Sequence, residues 1–206
     1  MSSDLGTGNG NGNGNVASNS SGGDSATASA TPFLTDVKTL RERARQHIEE
    51  GAVTTSYTAD REKVCQLLND ALATEIICVL RYKRHYFMAR GLTAEPIKAE
   101  FLEHANEEQA HADLLAERIV QLGGEPNLNP DTLSARAHAE YKEGGDLRDM
   151  VKEDLIAERI AIDSYREMIA FVGEKDSTTR RLLEGILEQE EQHADELSDM
   201  LDGFTG

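Results

Sequence analysis

Apolar residues recur at three- and four-residue intervals through four long stretches of this chain, and almost nothing alternates with the period of two that marks a strand. The first stretch spans about 58–90, with an inner stripe of Val64, Leu68, Ala71, Glu75, Cys78 and Tyr82, and stops at Gly91. The second begins near Thr93, a candidate N-cap, and stops at Gly123-Gly124. Its stripe is Phe101, Ala105, Glu108, His111, Leu115, Ile119 and Leu122. The third runs from near Asp146 to Gly173, striped by Val151, Asp154 or Leu155, Glu158, Ala161, Tyr165, Met168 and Val172. The fourth starts at Asp176 or Ser177 and carries Leu183, Ile186, Glu190, His193, Leu197 and Leu201. Short links join the first helix to the second and the third to the fourth, so each pair is predicted to form an antiparallel hairpin. The link over 125–145 is long enough to cross the assembly and predicts a short helix around 132–141. A charged helix is predicted over 36–50, stopped by Gly51. The fold class that follows is all-α: an antiparallel four-helix bundle with one long crossover containing a short helix.

Composition changes the picture at the N-terminus. The first thirty residues are nearly all Gly, Asn, Ser, Ala and Thr, with no Lys or Arg before Lys38. So few apolar side chains cannot offset the entropy of ordering, which predicts a disordered tail over 1–31, a short helix and connector over 32–57, and the bundle over 58–206. The tail lacks the basic start and apolar run of a signal peptide. The net charge of −17, from 21 basic and 38 acidic residues, argues against direct binding to DNA, whose affinity depends on neutralising phosphates. No apolar run approaches the roughly 20 residues that span a bilayer, so no membrane partner and a cytoplasmic location are expected. Cys65 and Cys78 share one predicted helix, more than three turns apart. At about 1.5 Å per residue they stand roughly 20 Å from each other, too far for a mutual disulfide.

The chemistry lies in a repeat. Glu108-Gln-Ala-His111-Ala-Asp113 returns further along as Glu190-Glu-Gln-His193-Ala-Asp195, at an offset of 82. Upstream of each motif a lone Glu precedes a Tyr by seven residues: Glu75 with Tyr82, and Glu158 with Tyr165, offset by 83. All four Glu fall on apolar stripes. An isolated carboxylate there would be driven to take up a proton, and four facing one another would repel strongly. Two divalent cations balance four carboxylate charges. The i, i+3 spacing of Glu-x-x-His puts both side chains on one helix face, within reach of one metal. Carboxylate oxygens with one imidazole per ion suit iron, manganese or zinc. The first ion is assigned to Glu75, Glu108 and His111 and the second to Glu158, Glu190 and His193, with Glu108 and Glu190 bridging. Tyr82 and Tyr165 are candidate donors to metal-bound carboxylates. His85 and His104 flank the bundle centre and are candidates for iron transit, while His47 and His138 are expected at the surface.

From Leu67 to Leu201 the chain resembles bacterioferritins and their relatives in the ferritin-like superfamily. The resemblance rests on the six residues above, on His111-Ala-Asp, on Glu117-Arg-Ile followed by Gly124-Glu-Pro-Asn, on Asp154-Leu with Glu158, and on Glu190-Glu-Gln-His193. It implies that Glu75, Glu108, His111, Glu158, Glu190 and His193 form a ferroxidase centre holding two iron ions per subunit. There Fe(II) would be oxidised by O2 or H2O2 before mineral builds up in an oligomeric cage. Haem-binding members carry Met directly after the first Glu of the second-helix motif; Gln109 stands there, which argues against haem. The short stretch from His193 to Gly206 is expected to leave no room for the usual fifth helix. That, and the helical crossover, resemble the Dps-like mini-ferritins, so a homo-oligomeric shell of twelve subunits is favoured over twenty-four. The alternative is a di-metal redox enzyme such as a manganese catalase or a peroxidase.

Overall fold

The computed structural model describes residues 35–91 and 94–204. The expected tail over 1–31 and the expected N-cap Thr93 lie outside the described residues. The helices are α1 (Val37–Arg43), α2 (Arg61–Met88), α3 (Ala94–Gln121), α4 (Pro130–Arg136), α5 (Leu147–Val172) and α6 (Ser177–Gly203), with a 3-10 turn at Ile48–Glu50. α2 packs along α3 and α5 along α6; the two hairpins meet through α2 against α5 and α3 against α6, and α4 lies on α2.

Carboxylates set where the long helices begin. Asp60, Asp146 and Asp176 accept from the backbone N–H of Lys63, Asp149 and Thr179, each satisfying an amide the first turn leaves unpaired. α5 stops because Gly173 takes φ +54°, which a residue with a Cβ adopts at a cost. All the stripe residues named above are buried except Leu155 and Leu201, which are half-buried, so Asp154 rather than Leu155 occupies the inner position.

Two short elements differ from the pattern. The charged helix predicted over 36–50 breaks after Arg43, His47 turns into the left-handed region at φ 50°, and the chain resumes as the 3-10 turn. Neither piece buries a residue, so no packing carries a longer helix through this segment. The crossover helix begins earlier than the expected 132–141 and ends at Arg136. Asn129 caps it by accepting from Asp131 N–H, and Pro130 occupies its first turn, where a missing N–H costs nothing.

Buried ion pairs pin both ends of the bundle. Asp154 on α5 accepts from Arg81 Nε and meets His85 Nδ1, both at 2.7 Å. Arg81 also donates to the Glu140 carbonyl at 3.1 Å, and His85 Nε2 approaches the Lys142 and Glu143 carbonyls. These bonds fasten the end of the crossover to α2. Far along the bundle, Arg118 on α3 donates to both Asp176 oxygens and to Thr179 Oγ1, while Tyr57 of the connector donates to Asp176. The apolar core consists of two large clusters and a small third one, Ala73, Ile77 and Leu133, where α4 lies on α2. One large cluster holds Leu68, Leu115, Ile119, Met168 and Leu183; the other holds Phe101, Ala105, Val151 and Leu197. Along every long helix the singled-out Glu falls between them. Among the described residues no helix is long and apolar enough to cross a membrane.

Candidate metal centre

One residue from α2, one from α5 and two each from α3 and α6 converge on the layer between the clusters. Each of the six is at most 1% exposed. Their ligand atoms form two overlapping groups, Glu75, Glu108, His111 and Glu190, and Glu108, Glu158, Glu190 and His193; within each, one atom per residue lies within 4.8 Å of the others. Glu108 and Glu190 belong to both groups. That is the arrangement two bridging carboxylates require.

The imidazoles are aimed by their outer nitrogens. His111 Nε2 meets Gln189 Oε1 at 2.8 Å and His193 Nε2 meets Glu107 Oε2 at 2.7 Å. With those nitrogens donating, each Nδ1 is aimed inward, where its lone pair is free to ligate once the ring gives up its second proton. His111 Nδ1 lies 2.9 Å from Glu190 and 3.4 Å from both Glu75 and Glu108. His193 Nδ1 lies 3.7 Å from Glu108 and 3.9 Å from both Glu158 and Glu190. The tyrosines cross over. Tyr82 donates to Glu158 and Tyr165 donates to Glu75, the latter at 2.5 Å. Seven residues along a helix is about 10 Å, so a phenol cannot reach the Glu on its own helix and instead serves the facing one.

Among the described residues, nearly every buried polar side-chain atom lacking a hydrogen-bond partner belongs to this layer: Glu75 Oε2, both oxygens of Glu108 and of Glu190, Glu158 Oε2, and Nδ1 of His111 and of His193. The remaining one is Arg136 Nε. Burying a single polar atom unpaired costs about 1–3 kcal/mol, so eight converging on one layer call for a partner that the chain itself does not supply. The donors are six oxygens and two imidazole nitrogens, a set that fits a pair of divalent first-row cations.

Burial, then the neighbouring Glu108 charge, holds the Glu75 carboxyl well above the ordinary range; burial and the surrounding carboxylates do the same to Glu190. Glu158 is raised by burial and by Glu108. Burial alone would lift Glu108 too, but Glu75, His111 and His193 crowd upon it and bring it well below that range. His193 loses basicity by burial but regains more from Glu108 and Glu158, reaching about 9 against an ordinary 6.5. The metal-free protein is therefore expected to lose stability with rising pH. A raised imidazole pKa contributes fully below pH 6.5, and that contribution is gone once the pH passes about 9. The loss is on the order of 3 kcal/mol. Glu75 and Glu190, also raised, act in the same direction from lower pH, whereas Glu108 is ionised throughout this window whether folded or not. Thermal melts of the chelated protein from about pH 6 to pH 10 check this, and a flat or rising profile would contradict it.

Several residues that shape the layer were not singled out from the sequence. Glu107 and Gln189 orient the imidazoles, and the repeat carried the signal: they are related by the same offset of 82, each directly before a motif Glu, and each offers an acceptor oxygen. His85, a transit candidate, is instead held by Asp154 at the end of the bundle. His104 does lie beside the layer, its ring stacked on His193 with centroids 4.1 Å apart. His47 and His138 are exposed, as expected. Cys65 and Cys78 are both free thiols.

The ferritin family profile, described as the ferritin-like domain, matches residues 65–205. The bacterioferritin of Mycobacterium avium is 34% identical over 145 residues, 68% of this chain and 84% of its own. A nutrient stress-induced DNA-binding protein of Synechococcus sp. is 32% identical over 140 residues, 66% of this chain and 80% of its own. Among solved structures, a dodecameric thioferritin, the bacterioferritin-related protein of Bacteroides fragilis, superposes with a TM-score of 0.69 at 32% identity over 71% of this chain and 89% of its own. Dps of Thermosynechococcus elongatus shares the fold, with a TM-score of 0.66 at 23% identity over 68% of this chain and 90% of its own. A family profile that spans well over half of the chain, with a bacterioferritin 34% identical over 68% of it, shows that this chain belongs to the ferritin-like domain family.

Proposed function

We propose that the chain is a ferroxidase that oxidises Fe(II) at a dinuclear centre inside each subunit and stores or detoxifies the product in an oligomeric shell. The observation that carries this reading is the set of eight unpartnered donor atoms between two apolar clusters. Glu75, Glu108 and His111 receive one Fe(II); Glu158, Glu190 and His193 receive the other; Glu108 and Glu190 bridge them. The bacterioferritin relatives favour iron as the substrate, and the dodecameric thioferritin favours a shell of twelve.

The chain's own part in the reaction is positioning and charge. Four carboxylates can neutralise two Fe(II), and the outer partners Gln189 and Glu107 keep both Nδ1 atoms free to ligate. Adjacent ions let two electrons leave together. They reduce one H2O2 and two protons to two waters, or one O2 and two protons to H2O2. Tyr82 and Tyr165 steady the terminal carboxylates Glu158 and Glu75 by donating to them.

Anaerobic addition of two Fe(II) per chain to the metal-free protein, followed by H2O2 or O2, is expected to give a ferric absorbance within seconds. In Glu158→Ala the rate is expected to fall at least roughly 100-fold, because one ion loses its terminal carboxylate. Peroxide disproportionation without net ferric product would instead identify a catalase. The DNA binding named for the Synechococcus relative is not expected here, since a net charge of −17 opposes contact with phosphates. A low-salt gel shift checks that.

A further inference from the structure

We propose that Glu100, His104 and Glu196 form a third divalent-cation site, which receives the ion before it reaches the position bounded by Glu158 and His193. Ligand atoms of the three residues lie within 4.8 Å of one another. Two carboxylates and an imidazole suit Fe(II), Mn(II), Co(II) or Zn(II) and leave coordination positions for water, which makes such a site exchangeable.

The hydrogen bonding of His104 prepares it to ligate. Tyr82 spends its only proton on Glu158, so its oxygen accepts from His104 Nδ1 at 3.2 Å. That tautomer leaves Nε2 with a lone pair, and Nε2 faces a Glu196 oxygen at 2.9 Å. Two acceptors facing each other call for a positive charge, which a second proton on the ring supplies in the metal-free protein and a divalent cation can supply in its place. The ring itself is 1% exposed, while the Glu196 side chain is 37% exposed, so the site bridges solvent and the buried layer. Inward, the His104 ring stacks on His193, whose outer nitrogen is held by the half-exposed Glu107.

The repeat shows that packing does not ask for these residues. At the offset of 82 that relates the two Glu-x-x-His helices, Glu100 corresponds to Leu182, His104 to Ile186 and Glu196 to Leu114. All three apolar counterparts line one open depression beside His111. Ile186 is buried like His104, and Leu182 half-buried like Glu100. The same positions in the same fold are thus filled by hydrocarbon in one half and by Glu, His and Glu in the other. Burying an imidazole against a carboxylate is the costlier solution, and all three replacements coincide in space. One approach to the dinuclear layer carries three cation ligands at these positions, while at the other the corresponding three positions carry none.

As a staging point for iron this rests on the ferroxidase reading; binding of the cation itself does not. Calorimetric titration of the metal-free, full-length protein with Co(II), and anomalous diffraction at the cobalt edge, are expected to show three ions per chain. Two lie in the buried layer and a weaker one lies on His104 Nε2. The triple variant Glu100→Leu, His104→Ile and Glu196→Leu, which copies the other half, is expected to bind only the two. Since it also removes the Tyr82 partner, Glu100→Gln with Glu196→Gln serves as a second variant that keeps His104 and should equally lose the third ion. In both, stopped-flow uptake of Fe(II) is expected to slow roughly tenfold with the saturating stoichiometry of the buried pair unchanged. Absence of cobalt at His104 in the wild type overturns the proposal, as does a third ion that persists in both variants. Cobalt at His104 with unchanged uptake in the variants overturns the staging role. Cobalt at His104 with none between Glu108 and Glu190 would overturn the dinuclear reading instead.

Discussion

Glu108→Ala is expected to abolish the thermal stabilisation that divalent cations give this protein. Glu108 belongs to both ligand groups, so its loss removes an oxygen from each ion and a charge from the pair. In the wild type, each ion at a hundred times its dissociation constant adds about 2.7 kcal/mol, so two add roughly 5 kcal/mol. At fixed protein concentration that raises the melting temperature by roughly 10–20 °C for a domain of this size. Glu190→Gln separates the metal effect from the fold. Burial and the carboxylates of Glu108, Glu75 and Glu158 oppose the Glu190 charge by more than the nearby His111 imidazole favours it. Removing that charge is expected to stabilise the metal-free protein by about 1–3 kcal/mol while eliminating most of its response to metal. Calorimetry of both variants with and without Zn(II) reads the two effects. A metal-induced shift retained in Glu108→Ala would contradict the assignment.

Asp154→Ala is expected to be the most damaging substitution outside the metal layer. It leaves the Arg81 guanidinium, 1% exposed, without its carboxylate and removes the partner of His85. Breaking a buried pair from one side costs about 3–5 kcal/mol, because the remaining charge stays desolvated. The damage should spread to the crossover, since Arg81 and His85 also hold the carbonyls of residues 140, 142 and 143. Denaturant unfolding measures the cost, and hydrogen exchange should show faster exchange near 137–146. A loss below about 1 kcal/mol would mean that the pair is replaceable by water.

The four long helices were legible because each carries an apolar stripe at helical spacing between capping and Gly residues, and the six-residue cluster was legible because its lone Glu and Glu-x-x-His occur twice. What escaped was whatever depends on pairing between distant segments. Arg81 and Arg118 were not singled out and His85 read as a transit candidate, since nothing local in a helical sequence marks a charged side chain as buried and paired. Their burial is set by Asp154 and Asp176, which lie far off in the sequence. A trace was present all the same: Cys78, Arg81 and His85 continue one stripe of the first long helix, and Asp154 sits on the inner stripe of the third. The crossing of Tyr82 to Glu158 and Tyr165 to Glu75 was hidden because the repeat pairs each tyrosine with the wrong glutamate in sequence. The short segments failed differently. With no buried face, the pattern over 36–50 had nothing to enforce a continuous helix, and the crossover helix followed its Asn129 cap instead of its apolar content.

The most direct measurement is anomalous diffraction at the iron edge from crystals soaked anaerobically in Fe(II). Two peaks are expected inside each subunit, roughly 3.5–4 Å apart, with Glu108 and Glu190 between them and His111 and His193 each beside its own ion. A single peak, or iron bound only outside this buried layer, would contradict the account.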